Sequence, residues 1–347
     1  MPADDASPSR YDVRPPEKIP TVAQHRDPLA GHAVAPPRPM TSGPIAILPE
    51  AHTLFVDAVE SAGGTVAPLD DDTRAVLWLS AARADELDAV LRAHPAIGWV
   101  QLPWAGVDAF AEVLRTHADG PVFTSAKGAY SEPVAEHAVA LVHATLREFA
   151  PKARAARWAH ERSGRSLYGL NVTIVGAGGI AAEIIRLLEP WRCPITVVRR
   201  GSEPMPGADR TVTTAELDAV LPDTDALILA AASTESTRHL IDARRLALMP
   251  STSVLVNIAR GPLVDTAALT DALAAGSLLG AGLDVTDPEP LPDDHPLFAE
   301  PRCLITSHSA DTAEMTAPLL AARVDENVRG FLAGTGLVGI VDPREGY

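Results

Sequence analysis

The sequence predicts an α/β protein whose parallel sheets are shared between two domains. Short apolar runs alternate with helical patterns from Ile45 onward, the pattern left by parallel strands joined through crossover helices. The alternation comes in two series, one on either side of a long helical stretch that starts at Ser131. A length of 347 residues suits two domains of ordinary size.

In the first series, "IAIL" reads as a buried strand, and "AHTLFVDAVESAGG" as an amphipathic helix closed by two glycines. The strand "AVLWL", the helix around "ADELDAVLRAH", the strand "WVQL" and a short strand at Val122–Thr124 follow. The stretch "SEPVAEHAVALVHATLREFAPKARAARWAH" reads as one long helix. Ser131 suits its N-cap and Pro133 its first turn. Six strands are predicted in the second series: "NVTIV", "ITVV", "ALILA", "SVLVNI", "LLGAGLD" and "RCLITS". A last helix, from about Thr312 to Leu332, is expected to return to the first domain. Residues 1–42 are rich in proline and charge and lack periodicity, so they are expected to form a disordered tail.

Composition narrows the function. Against 45 Asp and Glu stand 29 Lys and Arg, a net charge of −16. That balance argues against nucleic acid or an anionic membrane as the main partner. The two cysteines, Cys193 and Cys303, offer neither a disulfide framework nor metal-ligand spacing. No metal is expected, and a cytoplasmic location is. No apolar run approaches the length of a membrane span, and the acidic N-terminus has no signal-peptide core.

"NVTIVGAGGIAAEIIRLL" places a glycine turn between a strand and a helix. Gly176 permits the tight turn and Gly178 lets backbone approach a pyrophosphate at the helix N-terminus, while Ala181 takes the third small position. Arg199 and Arg200 end the next strand. An NAD-binding version carries an acid there, to accept a hydrogen bond from the ribose 2′-hydroxyl. Arginine suits a 2′-phosphate instead, so NADP is the expected cofactor, with NADPH preferred and NAD possible.

Three later segments put reactive side chains at the carboxyl ends of predicted strands, where open α/β sheets bind ligands. "VLVNIARGPLVD" carries Arg260, "GAGLDVTDPEPLP" carries Asp284 and Glu289, and "CLITSHSADTAE" carries His308. Arg260 has the fork of donors for a carboxylate and a carbonyl. His308 titrates in the right range to give a proton, and Glu289 beside it would favour the imidazolium. His137, within "AEHAVAL", reads as structural, and Trp104 as either a pocket wall or core packing.

Together these segments, with "WAGVD", "VAEHAVAL", "TESTRHLI" and the closing "VDPREGY", resemble the D-isomer-specific 2-hydroxyacid dehydrogenase family from Ile45 to the end of the chain. Trp78 in "VLWLS" and the closing residues look most similar to its glyoxylate/hydroxypyruvate reductase branch. The resemblance implies two Rossmann-like/flavodoxin-like domains with the active site in the cleft between them. The substrate-binding domain would comprise residues 43–126 and 311–347, and the NADP-binding domain residues 127–310. It implies reduction of a small 2-keto acid to the D-2-hydroxy acid, with Arg260, Glu289 and His308 catalytic, in a homodimer built through the region after Ser131. Gly179, Ile180, Ala231, Ile258 and Ala259 would line the cofactor, and Asp284 would face the nicotinamide carboxamide. Ala105, Gly106 and Val107 would cradle the substrate carboxylate, with Trp78 nearby.

Ser307, Thr286 and Ala232 depart from the residues usual in the family at those places. "LWLSAA" holds no cation, which disfavours a phosphorylated substrate of the phosphoglycerate dehydrogenase kind. A dinucleotide-sensing corepressor is the alternative from another class. A formate-oxidising relative is disfavoured by Glu289.

Overall fold

A computed structural model describes residues 33–158 and 162–345, and the chain divides into two compact units. One takes the chain up to Tyr130 together with the segment from Thr312 onward; the other is Ser131–Asp311.

The first unit is built on four parallel strands: β1 (Ile45–Leu48), β2 (Ala75–Trp78), β3 (Trp99–Gln101) and β4 (Val122–Thr124), in that spatial order. Every residue of β2 and β3 is buried, because interior strands of a parallel sheet are covered on both faces. The helices Thr53–Ser61 and Ala313–Ala333 pack against each other in this unit. Asn327, on the second of these, is fully buried. Its amide donates to Gln101 Oε1 (2.9 Å) and the Val338 carbonyl (3.0 Å), and accepts from the Val338 amide (2.7 Å). Thr124 donates to the same Gln101 oxygen and accepts from the Trp99 indole, both at 2.8 Å. A buried polar chain thus pins the last helix and its return segment to the sheet, with each amide paired.

The expected tail needs a correction. Residues 1–32 lie outside the described residues, but residues 33–42 are bound to this unit. Val34 and Leu337 exchange two backbone hydrogen bonds of 2.9 Å. The Arg38 guanidinium donates to the carbonyls of Gly120 (2.6 Å) and Ala118 (3.0 Å). Backbone pairing needs no apolar pattern, so composition could not reveal it.

The second unit holds seven parallel strands in the order β11-β10-β9-β8-β5-β6-β7. They are β5 (Val172–Val175), β6 (Ile195–Arg199), β7 (Arg210–Thr213), β8 (Ala226–Leu229), β9 (Val254–Asn257), β10 (Gly280–Leu283) and β11 (Cys303–Ile305). Six are the predicted ones. β7 was not anticipated: it is an edge strand in which Val212 alone is buried, so it lacks a continuous apolar run. The order reverses at β5, whose neighbours are β6 and β8. Such a switch point opens a crevice at the carboxyl ends of the strands.

The long helix expected after Ser131 is broken. It runs Ser131–Leu146, and a second, short helix covers Phe149–Ala153. Glu148 between them has φ +52°, a left-handed conformation that ends an α-helix. Ser131 is the first helical residue rather than the cap. Both cysteines are buried thiols. Among the described residues no helix is long and apolar enough to cross a membrane, and no group of three or more His, Cys, Asp or Glu is placed to hold a metal ion.

The bonds made by residues 33–42 can be tested by truncation. A chain starting at residue 43 should melt a few degrees below one starting at residue 33, since each lost bond contributes about 0.5–1.5 kcal/mol. Superimposable melting curves would show that the segment adds nothing to stability.

Candidate active site

The turn after β5 shows why glycine is needed. Gly176 has φ +119°, and a methyl group there would collide with the Ala230 carbonyl at the end of β8. Gly178 precedes the helix Gly179–Leu188, and a side chain on it would meet open space. Backbone N–H groups of the first helical turn therefore have an unobstructed approach, as a pyrophosphate requires. Ala181 is fully buried. Ile180 and Ala231 are half-buried, and Ile258 and Ala259 buried. These residues fit a dinucleotide.

Arg199 ends β6 half-buried, with Arg200 exposed after it. Its guanidinium donates to the Glu203 carbonyl (3.1 Å) and lies 3.6 Å from the exposed Glu203 carboxylate. An ion pair this exposed is worth about 0–1 kcal/mol, so it does not commit the guanidinium against a phosphate.

The catalytic candidates gather at the carboxyl ends of β9, β10 and β11. Arg260 lies three residues past β9, in an extended conformation, and donates to the Ala259 carbonyl (2.8 Å). Buried Asn257 shapes this loop: its side chain donates to the Arg260 carbonyl (2.9 Å) and accepts from the Ala259 amide (3.1 Å). At Gly261 a side chain would overlap the Thr286 carbonyl, so the loops carrying Arg260 and Glu289 touch backbone to backbone. The sequence reading did not single out Asn257, although an amide at a strand end followed by a turn is a loop-closing signal.

His308 Nδ1 sits 2.8 Å from Glu289 Oε1. The Glu289 hydrogen bond raises the His308 pKa; burial opposes it, the Glu289 charge adds to it, Arg260 opposes it and Asp284 adds to it. The ring therefore keeps its proton to higher pH than an ordinary histidine. Nearby, burial pushes the Asp311 carboxyl up to about 6, with His308 and Arg260 pulling against it.

Asp284, which the resemblance turns toward a nicotinamide, is 3% exposed, and its carboxylate accepts from the protein itself. Thr306 Oγ1 (2.6 Å) and the Ser309 amide (2.9 Å) donate to Oδ1, and the Ala310 amide donates to Oδ2 (3.2 Å). His137, read as structural, reaches Thr306 Oγ1 at 2.9 Å from the helix Ser131–Leu146. Burial would raise the Asp284 pKa, yet the bonds from His137, Thr306 and Ser309 outweigh it and hold the group ionised.

The expected substrate contacts lie in the first unit. Trp78 is not available for one: it is 1% exposed among Val76, Leu102 and Phe110, and its indole N–H donates to the Ser80 carbonyl (2.6 Å). It packs the core because β2 is an interior strand. Ala105, Gly106 and Val107 form the loop after β3. Among the described residues no group accepts from their three N–H donors. Trp104 stacks edge-on against Tyr130 at 6.1 Å, half-buried.

Comparison with known proteins agrees with this geometry. Residues 138–310 match the family model "D-isomer specific 2-hydroxyacid dehydrogenase, NAD binding domain". Glyoxylate/hydroxypyruvate reductase A of Klebsiella pneumoniae (strain 342) is 33% identical over 252 residues, which are 70% of this chain and 80% of that protein. The chain belongs to the D-isomer specific 2-hydroxyacid dehydrogenase family. Within that family it falls in the glyoxylate/hydroxypyruvate reductase branch, and it is an NAD(P)-dependent oxidoreductase. A family member from Xanthobacter autotrophicus Py2, solved in complex with NADPH and MES, superimposes with a TM-score of 0.75 at 26% identity, covering 88% of this chain and all of that one. An NADPH-dependent glyoxylate/hydroxypyruvate reductase from Sinorhizobium meliloti, in complex with NADP and malonate, gives 0.68 at 26% identity, covering 87% and 98%.

The His308–Glu289 pair makes a signed prediction for this dehydrogenase. Keto-acid reduction that uses the imidazolium should fail above the His308 pKa. Glu289→Gln removes the charge that raises that pKa, so the alkaline limb of the pH–rate profile should move to lower pH. Superimposable profiles for parent and variant would refute the coupling.

Proposed function

We propose that the enzyme reduces a small, unphosphorylated 2-keto acid of glyoxylate or hydroxypyruvate size to the D-2-hydroxy acid, using NADPH in preference to NADH. The observation that carries the reaction is the 2.8 Å His308–Glu289 pair beside Arg260 in one unit. The cofactor preference rests on Arg199 and Arg200 at the end of β6, and it agrees with the NADP(H) bound in the two solved relatives.

When bound, the reduced nicotinamide would supply a hydride to C2 of the keto acid. Arg260 polarises the carbonyl and binds the adjacent carboxylate through its planar fork of donors. Oxygen gains charge as C2 is reduced, and His308 delivers a proton to it. Glu289 keeps the imidazole oriented and charged for that step and, by favouring the imidazolium, draws a proton from solvent back onto the ring afterwards. The three consecutive donors of Ala105, Gly106 and Val107 also suit a carboxylate. Gly176, Gly178 and Gly179 would hold the pyrophosphate of the cofactor, and Arg199 its 2′-phosphate.

The enzyme is further proposed to act in the cytoplasm as a homodimer. Phe149 and Trp158, 55% and 85% exposed after the helix Ser131–Leu146, give that association an apolar surface.

Two measurements test the reading. His308→Asn should slow reduction by about 10²–10⁴-fold while NADPH still binds. Arg199→Asp should weaken NADPH binding by about 1.5–3 kcal/mol, roughly ten- to a hundredfold, and shift preference toward NADH. A parent enzyme that uses both cofactors equally well overturns the assignment of Arg199, and an active His308→Asn enzyme overturns that of the acid.

A further inference from the structure

His308 occupies a conformation that does not maintain itself. Its φ of +48° lies in the left-handed region, which costs a non-glycine residue about 1–3 kcal/mol unless its surroundings impose it. The surroundings here converge on one residue. The His308 amide donates to the Asp284 carbonyl at 2.8 Å, and also contacts the Thr306 carbonyl at 2.7 Å. The next two amides, of Ser309 and Ala310, end on the Asp284 carboxylate at 2.9 and 3.2 Å. Three consecutive N–H groups therefore wrap a single aspartate, and His308 leads that turn.

These bonds tie the turn to the end of β10. What ties it to the layer of helices is His137. Thr306 has one hydroxyl hydrogen, and the 2.6 Å contact to Asp284 Oδ1 takes it. Thr306 Oγ1 can then only accept from His137, so the ring nitrogen 2.9 Å away carries the hydrogen. The same Nε2 lies 3.4 Å from Asp284 Oδ1, so one N–H addresses both the hydroxyl and the carboxylate. His137 belongs to the helix Ser131–Leu146, which packs on β9, β10 and β11.

We propose that His137 is a positioning residue for the reaction: through Thr306 and Asp284 it holds the turn that aims His308. Its N–H fixes the Thr306 hydroxyl as donor to Asp284, and it shares the load of a carboxylate that has almost no contact with water. Without it, Asp284 Oδ1 loses a donor, Thr306 can rotate, and the turn is referenced to one strand end alone. A misplacement of about 1 Å at a proton donor is enough to slow a reaction by roughly a hundredfold.

The inference rests on the proposed role of His308, and the test separates the two. His137→Leu removes the donor, whereas His137→Gln keeps an N–H at similar reach. Thr306→Val removes the hydroxyl but preserves the branched shape. The expected result is a kcat for glyoxylate lower by about ten- to a hundredfold in His137→Leu and Thr306→Val, with KM changed less than about threefold. His137→Gln should recover most of the loss. In cofactor-free protein, the NMR titration midpoint of His308 should fall in His137→Leu and Thr306→Val, because the ring no longer meets Glu289 in register. Parent-like kcat and His308 midpoint in both folded variants would overturn the inference. So would a lower melting temperature with those two quantities unchanged, which is the result for a merely structural histidine. If His308→Asn is itself active, the failure lies with the proposed acid rather than with His137.

Discussion

One buried anion organises the end of the seven-stranded sheet where His308 and Glu289 meet. Ionised Asp284 is excluded from water, a state that costs several kcal/mol unless donors surround it. The donors it collects come from the loop after β11 and from the helix that crosses the sheet. Satisfying the carboxylate and shaping the His308 turn are consequently one event. The chain could not relax the turn without stranding the charge. Strain at His308 is thereby held in place by an electrostatic requirement a few ångströms away.

A second constraint acts on the loops themselves. At the ends of β5 and β8, and again where the Arg260 loop passes Thr286, main chain meets main chain with no room for a side chain. Gly176 and Gly261 are thus fixed by their neighbours before any ligand is considered. Gly178 is the contrasting case: nothing among the described residues presses on it, so its lack of a side chain leaves that side open to an approach from outside. This distinction separates glycines that close the fold from one that opens it.

Much of this was legible in the sequence, for a physical reason. Interior parallel strands are buried on both faces and read as near-continuous apolar runs, so β5, β8 and β9 announced themselves. The glycine turn and the Arg260, Glu289 and His308 segments were readable because each is a local pattern at the end of such a run. The remainder depended on partners distant in sequence. β7 is a half-exposed edge strand without a run. Residues 33–42 are held by hydrogen bonds of the Val34 backbone and the Arg38 side chain to distant main chain, which composition does not register. Trp78 looked like a pocket residue because the family resemblance put it near the substrate, whereas its burial is decided by the strands on either side. His137 lies 169 positions from Thr306, and nothing within "AEHAVAL" reveals which face of the helix meets that hydroxyl.

The two thiols carry a consequence of their own. Cys193 and Cys303 are the chain's only cysteines, and both are enclosed. Burial pushes the Cys303 thiol up to about 12 and also raises Cys193. Since the thiolate is the form that oxidants and alkylating agents attack, neither sulfur is poised to react in the folded protein. A catalyst that handles reducing equivalents thus keeps both of its thiols out of that traffic, sealed in the protein rather than offered as a redox sensor.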